Sequence, residues 1–231
     1  MTITQNTTVA EIAAGVPSSI RVFQRRDIDF CCGGKRPLAQ ACAERGLTFN
    51  EIVDEIATSA EVHPENVTGW LEAPLDALTA HIVRTYHQPL RDELPRLNTM
   101  AAKVAKVHGT KDSRLGRVAS GLLELSEELQ AHMRKEEQVL FPVIDAIETG
   151  ASAPMRIDAP ISVMEHEHEQ AGVLLGELRS LTDEYQPPEW GCATVRALYG
   201  GLAELEHAMH VHIHLENNIL FPRALRLLQE A

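Results

Sequence analysis

His132-Met133-Arg134-Lys135-Glu136 and His212-Ile213-His214-Leu215-Glu216 write the same H-x-x-x-E pair twice, 80 residues apart. The continuations match too. Val139-Leu140-Phe141-Pro142 answers Ile219-Leu220-Phe221-Pro222, so each Glu stands six residues before a proline. An α-helix turns once in about 3.6 residues, so a His and a Glu four apart share one face. Two such faces set against each other can hold two metal ions.

Outside the repeat the chain is helical in pattern. Four segments carry apolar residues at steps of three and four, the seam of a helix bundle. The first runs from about Ala73 to Val107 through Val83, His87, Leu90, Leu94, Leu97, Ala101 and Val104. The second runs from Ser113 to about Ile147 through Leu122, Leu125, Leu129, His132, Glu136, Val139 and Val143. The third, Ala159 to about Glu184, carries Ile161, Met164, His168, Ala171, Leu175 and Leu178. The fourth starts near Glu189 with Leu202, Leu205, Met209, His212, Glu216 and Ile219. Short turns at Gly109–Asp112 and Gln186–Pro188 predict two antiparallel hairpins, joined by a longer Glu148–Pro160 connection. No strand-like alternation is present. The fold class expected is all-α: an antiparallel four-helix bundle over 69–231, preceded by a small helical cysteine domain over 1–68. Two capping boxes, Thr8-x-x-Glu11 and Thr48-x-x-Glu51, start helices in that first part, and Pro17 and Pro37 mark two more starts. His63 to Gly69 reads as a linker.

Composition agrees. Of 231 residues, 44% are hydrophobic and only 4% aromatic, which favours helix and can fill a core. The net charge of -12 disfavours nucleic acid and anionic membrane as partners. No apolar run reaches the ~18–20 residues of a membrane span, and the N-terminus lacks a signal-peptide pattern, so a cytoplasmic protein is expected. Four scattered cysteines do not make a disulfide framework.

His87, His132, Glu136, His168, His212 and Glu216 all fall on the seams. A buried ionised Glu is costly unless paired or bound to metal. Counted from their turns, the four His lie about 19 to 24 residues away, so six side chains can converge at one level. The alternative is six unrelated polar residues. His108 is on a seam but some 31 Å from His87 along a straight helix. His210 and His214 turn away from His212, and with Glu206 they read as a solvated stripe. Mixed imidazole and carboxylate ligands with open positions suit iron. Structural zinc would favour four closed ligands including Cys. An oxo or hydroxo bridge between two non-haem irons would leave one position open on each.

These residues resemble the hemerythrin-like di-iron bundle. Asp29-Phe30-Cys31-Cys32-Gly33-Gly34, Ile161-Ser162-Val163-Met164-Glu165 before His168, and Leu215-Glu216-Asn217-Asn218 look more narrowly like the Repair of Iron Centres family. The resemblance covers nearly the whole chain. It implies a cysteine domain, a di-iron four-helix bundle with His87, His132, His168 and His212 as ligands and Glu136 and Glu216 as bridges, and repair of iron–sulfur clusters damaged by nitric oxide or peroxide. Glu167 matches a family acid near the site. Pro89, just past His87, is a local departure.

Cys31 and Cys32 are vicinal on a Gly-Gly turn. Lys35 and Arg36 would lower their pKa, and Asp27 and Asp29 would raise it. Cys42 and Cys192 carry no motif and read as packing residues. The function expected is iron supply to damaged iron–sulfur proteins, with Cys31, Cys32 and Glu167 assisting. Nitric oxide binding, scavenging or reduction at the same irons is the first alternative, and an O₂ carrier or sensor the second. A homodimer is compatible with the sequence.

Overall fold

The computed structural model describes residues 1–59, 67–150 and 156–230. The expected linker and the long inter-hairpin connection fall partly outside them. Eleven α-helices are described: α1 (Val9–Gly15), α2 (Ser18–Arg25), α3 (Leu38–Glu44), α4 (Phe49–Thr58), α5 (Leu75–Ile82), α6 (Gln88–His108), α7 (Arg114–Lys135), α8 (Phe141–Glu148), α9 (Asp158–Leu181), α10 (Ala193–Leu215) and α11 (Phe221–Glu230). Among the described residues there is no sheet, only an isolated bridge between Thr8 and Pro37. The protein is all-α, as the periodicity requires. No described helix is long and apolar enough to cross a membrane.

Three of the long helices change pitch on the way. α5 runs through a π-turn, Val83–His87, into α6; α7 through Glu136–Leu140 into α8; and α10 through Glu216–Leu220 into α11. Each π-turn closes with an i→i−5 bond: Gln88 N–H to Val83 O, Phe141 N–H to Glu136 O, and Phe221 N–H to Glu216 O. Each is followed, one residue later, by a proline: Pro89, Pro142 or Pro222. Proline has no N–H, and its ring crowds the carbonyl four residues back. The wider π-turn accommodates both defects without ending the helix. Pro89 is therefore the third copy of one local device.

The π-turn also shifts the seam, because it inserts a residue. Val139, expected in the core, is 47% exposed, while Leu140 and Phe141 are buried. The 3.6 period that located Glu136 fails three residues later for this reason.

The described residues pack as two compact units, one within Met1–Thr79, Ile144–Pro154 and His210–Ala231, the other within Ala80–Val143 and Met155–Met209. In the first, Thr8 and Glu11 complete a capping box on α1, and the Thr48 hydroxyl caps α4 by accepting from Glu51 N–H. Val9, Ile12, Phe23, Leu38, Ile52 and Ile56 form its core. The Glu148 carboxylate accepts from Leu75 N–H at 2.6 Å and Asp76 N–H at 3.0 Å, satisfying the first turn of α5. The Arg223 guanidinium donates to the carbonyls of Trp70 and Ala73, both at 2.6 Å. In the second unit α6 lies along α7 and α7 along α9. Leu94, Leu97, Leu122, Leu125, Leu175 and Leu178 are buried there, each contributing about 1.5–3 kcal/mol by leaving water.

Candidate metal centre and cysteine turn

Within the second unit, His87 closes its π-turn, His132 lies in the last turn of α7, Glu136 opens the next π-turn, and His168 is on α9. All four are buried. His87 Nε2 is 3.4 Å from Glu136 Oε2, and His132 Nε2 is 3.2 Å from Glu136 Oε1. His168 Nε2 lies 3.0 Å from His132 Nε2. Within the first unit, His212 Nε2 is 3.1 Å from Glu216 Oε1, and both are buried.

The outer ring nitrogens of two of these histidines are engaged by carboxylates. His87 Nδ1 is 2.7 Å from Glu137 Oε1, and Arg91 donates to both Glu137 oxygens, at 2.5 and 2.6 Å. His132 Nδ1 is 2.8 Å from Glu167 Oε2, and Lys135 donates to Glu167 Oε1. Burial opposes ionisation of Glu137, but Arg91 and His87 outweigh it and hold the carboxyl below its ordinary value. Glu167 is lowered in the same way by Lys135 and His132. An ionised carboxylate accepts, so each Nδ1 carries the proton and each Nε2 presents a lone pair inward.

Those inward lone pairs face an acceptor. Both Glu136 oxygens are fully buried and make no hydrogen bond. Imidazole lone pairs against a buried carboxylate repel unless a cation lies between them. The donor set therefore fits a metal. Two groups of four buried residues each bring one donor atom apiece to within 4.8 Å of one another. They are His87, Glu136, His212 and Glu216, and His132, Glu136, His168 and Glu216. Glu136 and Glu216 belong to both. A cavity of about 150 Å³ in the second unit is lined in part by His132, Lys135, Glu167 and His168.

Glu137, Arg91 and Lys135 escaped the sequence reading. A signal was present: Arg91 is four residues from His87, on its face, and Glu137 adjoins Glu136.

The cysteine turn is built around Asp29. Its Oδ1 accepts from the backbone N–H groups of Cys31 and Cys32, both at 3.0 Å, and its Oδ2 from Gly33 N–H at 2.8 Å. A Cβ on Gly34 would stand 2.5 Å from Phe30 O, so only glycine fits. Cys31 Sγ is 3.8 Å from Cys32 Sγ and 3.4 Å from Asp29 Oδ1. Of the opposing effects expected on Cys31, that of Asp29 prevails over that of Lys35 and Arg36. Its hydrogen bond to Cys32, then burial, then the charge of Asp29 push the thiol well up.

Two further expectations fail. The stripe Glu206, His210, His214 is not a solvated face. His214 and Glu206 are buried, because residues 211–217 are enclosed on every side and Glu206 is paired with Arg179 at 2.7 Å. Burial lowers the His214 pKa to about 4, against the opposing bond to Phe30 O, so it is neutral. Cys192 is exposed rather than packed. Its Sγ lies 3.5 Å from His108 Nε2, at the end of α6 away from His87. Cys42 is buried, as expected of a packing residue.

Comparison with known proteins places these features. Residues 78–224 match the family described as Hemerythrin HHE cation binding domain, and residues 5–60 match a domain of unknown function, DUF542. The chain is 46% identical over 217 residues to the iron-sulfur cluster repair protein YtfE of Edwardsiella ictaluri, covering 94% of this chain and 96% of that one. It is 41% identical over 218 residues to the protein of the same name from Pectobacterium atrosepticum, and 43% over 217 residues to that of Escherichia coli O81, with the same coverage.

Proposed function

The chain belongs to the hemerythrin HHE cation-binding family and, within it, to the iron-sulfur cluster repair proteins named YtfE, and on that premise we propose that it restores damaged iron–sulfur clusters by supplying iron. The observation that carries this reading is the pair of buried His/Glu groups sharing Glu136 and Glu216. His87 and His212 would serve one iron and His132 and His168 the other, with both carboxylates bridging. An oxo or hydroxo bridge would complete the pair. Imidazole and carboxylate ligands of this kind suit iron.

The residues around the groups have definable tasks. Glu137 with Arg91, and Glu167 with Lys135, orient His87 and His132 and keep Nε2 available. Glu167 also borders the cavity beside His132 and His168, where a small ligand could approach. That cavity favours nitric oxide binding as the second reading. Residues 1–68 are read as a cysteine domain whose Cys31 and Cys32 assist, and 69–231 as the iron bundle. The partners are damaged iron–sulfur proteins, in the cytoplasm.

The test is transfer. Iron-loaded protein is mixed with an apo cluster protein, sulfide and a reductant, and cluster recovery is followed with and without nitric oxide. Recovery faster than with the same free iron supports the reading. Equal rates would remove iron supply and leave nitric oxide chemistry.

A further inference from the structure

One short helical stretch, His212 to Asn218, faces two ways. His212 and Glu216 belong to the metal groups. His214, Asn217 and Asn218 are two, five and six residues beyond His212, which turns them to the other side of the helix at about 100° per residue. All three reach the cysteine turn. His214 Nδ1 is 3.3 Å from Phe30 O. Asn218 Nδ2 donates to Phe30 O and to Cys31 O, both at 3.1 Å, and Asn217 Nδ2 donates to Cys31 O at 3.4 Å. Asn218 Nδ2 also lies 3.1 Å from His214 Nδ1, so two of the three are in direct contact.

The targets matter more than their number. Phe30 O and the Cys31 N–H belong to one peptide group, and Cys31 O and the Cys32 N–H to the next. The N–H side of both is held by Asp29 Oδ1. The carbonyl side of both is held from the helix. Two successive peptide planes, one for each thiol, are therefore fixed at both edges.

His214 adds a second observation. It is wholly buried, and its Nε2 has no hydrogen-bond partner. A leucine would fill such a place without stranding a polar atom. The bond to Phe30 is what the imidazole contributes there.

We propose that His214, Asn217 and Asn218 are positioning residues for the Cys31–Cys32 pair, holding both thiols toward one thiophilic centre as a two-point ligand. The Sγ–Sγ distance of 3.8 Å suits this: two sulfurs at ~2.3 Å from one tetrahedral metal stand about that far apart. The same stretch of helix carries His212 and Glu216, so the thiols keep a fixed register with two of the candidate ligands. The inference rests on the reading that these thiols take part in repair, but its first measurement does not.

That measurement is trapping by phenylarsine oxide in the full-length, iron-loaded protein, monitored by intact mass. The arsenical condenses with two thiols, exchanging its oxygen for two As–S bonds and releasing one water, with no change of oxidation state. Asn218→Asp keeps the shape and removes the donor. It should trap about fivefold more slowly or worse, on the scale of one lost hydrogen bond, with iron content and helicity unchanged. Asn218→Ser retains a shorter donor and should fall between; it decides the matter alone if the charged variant does not fold. Wild-type trapping rates in the variants that fold would overturn the proposal. Slowed trapping with full cluster recovery would leave the positioning intact and remove the thiols from repair.

Discussion

Glu137 accepts a hydrogen bond from His87 across fifty residues of sequence, Oε1 to Nδ1 at 2.7 Å. The contact determines which nitrogen of His87 can bind a metal. Glu167 does the same for His132, and each acid is backed by a cation, Arg91 or Lys135.

Replacing either acid by Gln keeps an acceptor but removes the charge that fixes the tautomer. Glu137→Gln and Glu167→Gln should each weaken metal affinity about 10–100-fold, the usual scale for such outer partners. Competition with a chromophoric chelator measures it. Wild-type affinity in both variants would mean that the carboxylates only tether α6, α7 and α9 in the second unit.

Glu136 should have opposite effects with and without metal. Without metal it is a buried carboxylate facing imidazole lone pairs, which costs stability. Glu136→Gln should therefore raise the melting temperature of the metal-free protein. With iron present the wild type should gain, by about 2.7 kcal/mol at a hundredfold excess of metal over Kd, and the variant should gain far less. A metal-free variant that melts below metal-free wild type would contradict this account.

The cysteines should separate by pH. The N–H of Val195, then His108, lower the Cys192 thiol from 9.0 to about 7, whereas Cys31 is pushed up. The thiolate is the nucleophile. Iodoacetamide should label Cys192 at a rate that rises through about pH 7 and levels off above it, with Cys31 still protonated. His108→Phe should move the midpoint upward, though not back to an ordinary thiol, since the backbone contribution stays. A midpoint unmoved by the substitution would dismiss the His108 contact.

Two glycines should respond in opposite directions to alanine. A Cβ at Gly34 meets Phe30 O at 2.5 Å and Ala10 Cβ at 3.0 Å, so Gly34→Ala should cost about 1–3 kcal/mol and disturb the cysteine turn. Gly176, inside α9, has nothing within 4 Å of such a Cβ. Gly176→Ala should stabilise by roughly 0.5–1 kcal/mol through helix propensity. Urea denaturation of both variants checks the contrast; equal effects would count against the crowding at Gly34.

Helical periodicity made the fold and the two groups of His and Glu legible, because buried residues recur every three or four positions and charged ones among them stand out. It failed at His214 and Glu206. Periodicity assumes a helix with one buried face, and the end of α10 is enclosed all round. It failed at Val139 because a π-turn intervened. The tasks of Asn217 and Asn218 were invisible for another reason: their partners are backbone carbonyls nearly two hundred positions away, and carbonyls leave no trace in residue identity. For Cys31 the residues nearby in the chain set Lys35 and Arg36 against Asp27 and Asp29 without deciding between them, because nearness in the chain does not say which side chains touch the thiol; Cys32 and Asp29 are the groups that do.

The three π-turns bear on how such a chain can be altered. Each adds one residue to a helix and so turns everything after it by about 100° relative to everything before it. Deleting one residue from Glu136–Leu140 would give a more regular helix and a worse protein, since Leu140, Phe141 and Ile144 would rotate out of the interior they now fill. The irregularity works as a phase correction, with the following proline discouraging relapse into the ordinary pitch. An idealised redesign that scored each helix for straightness would remove it first. The tolerable sites for insertion and deletion lie elsewhere, in the segments that join the helices.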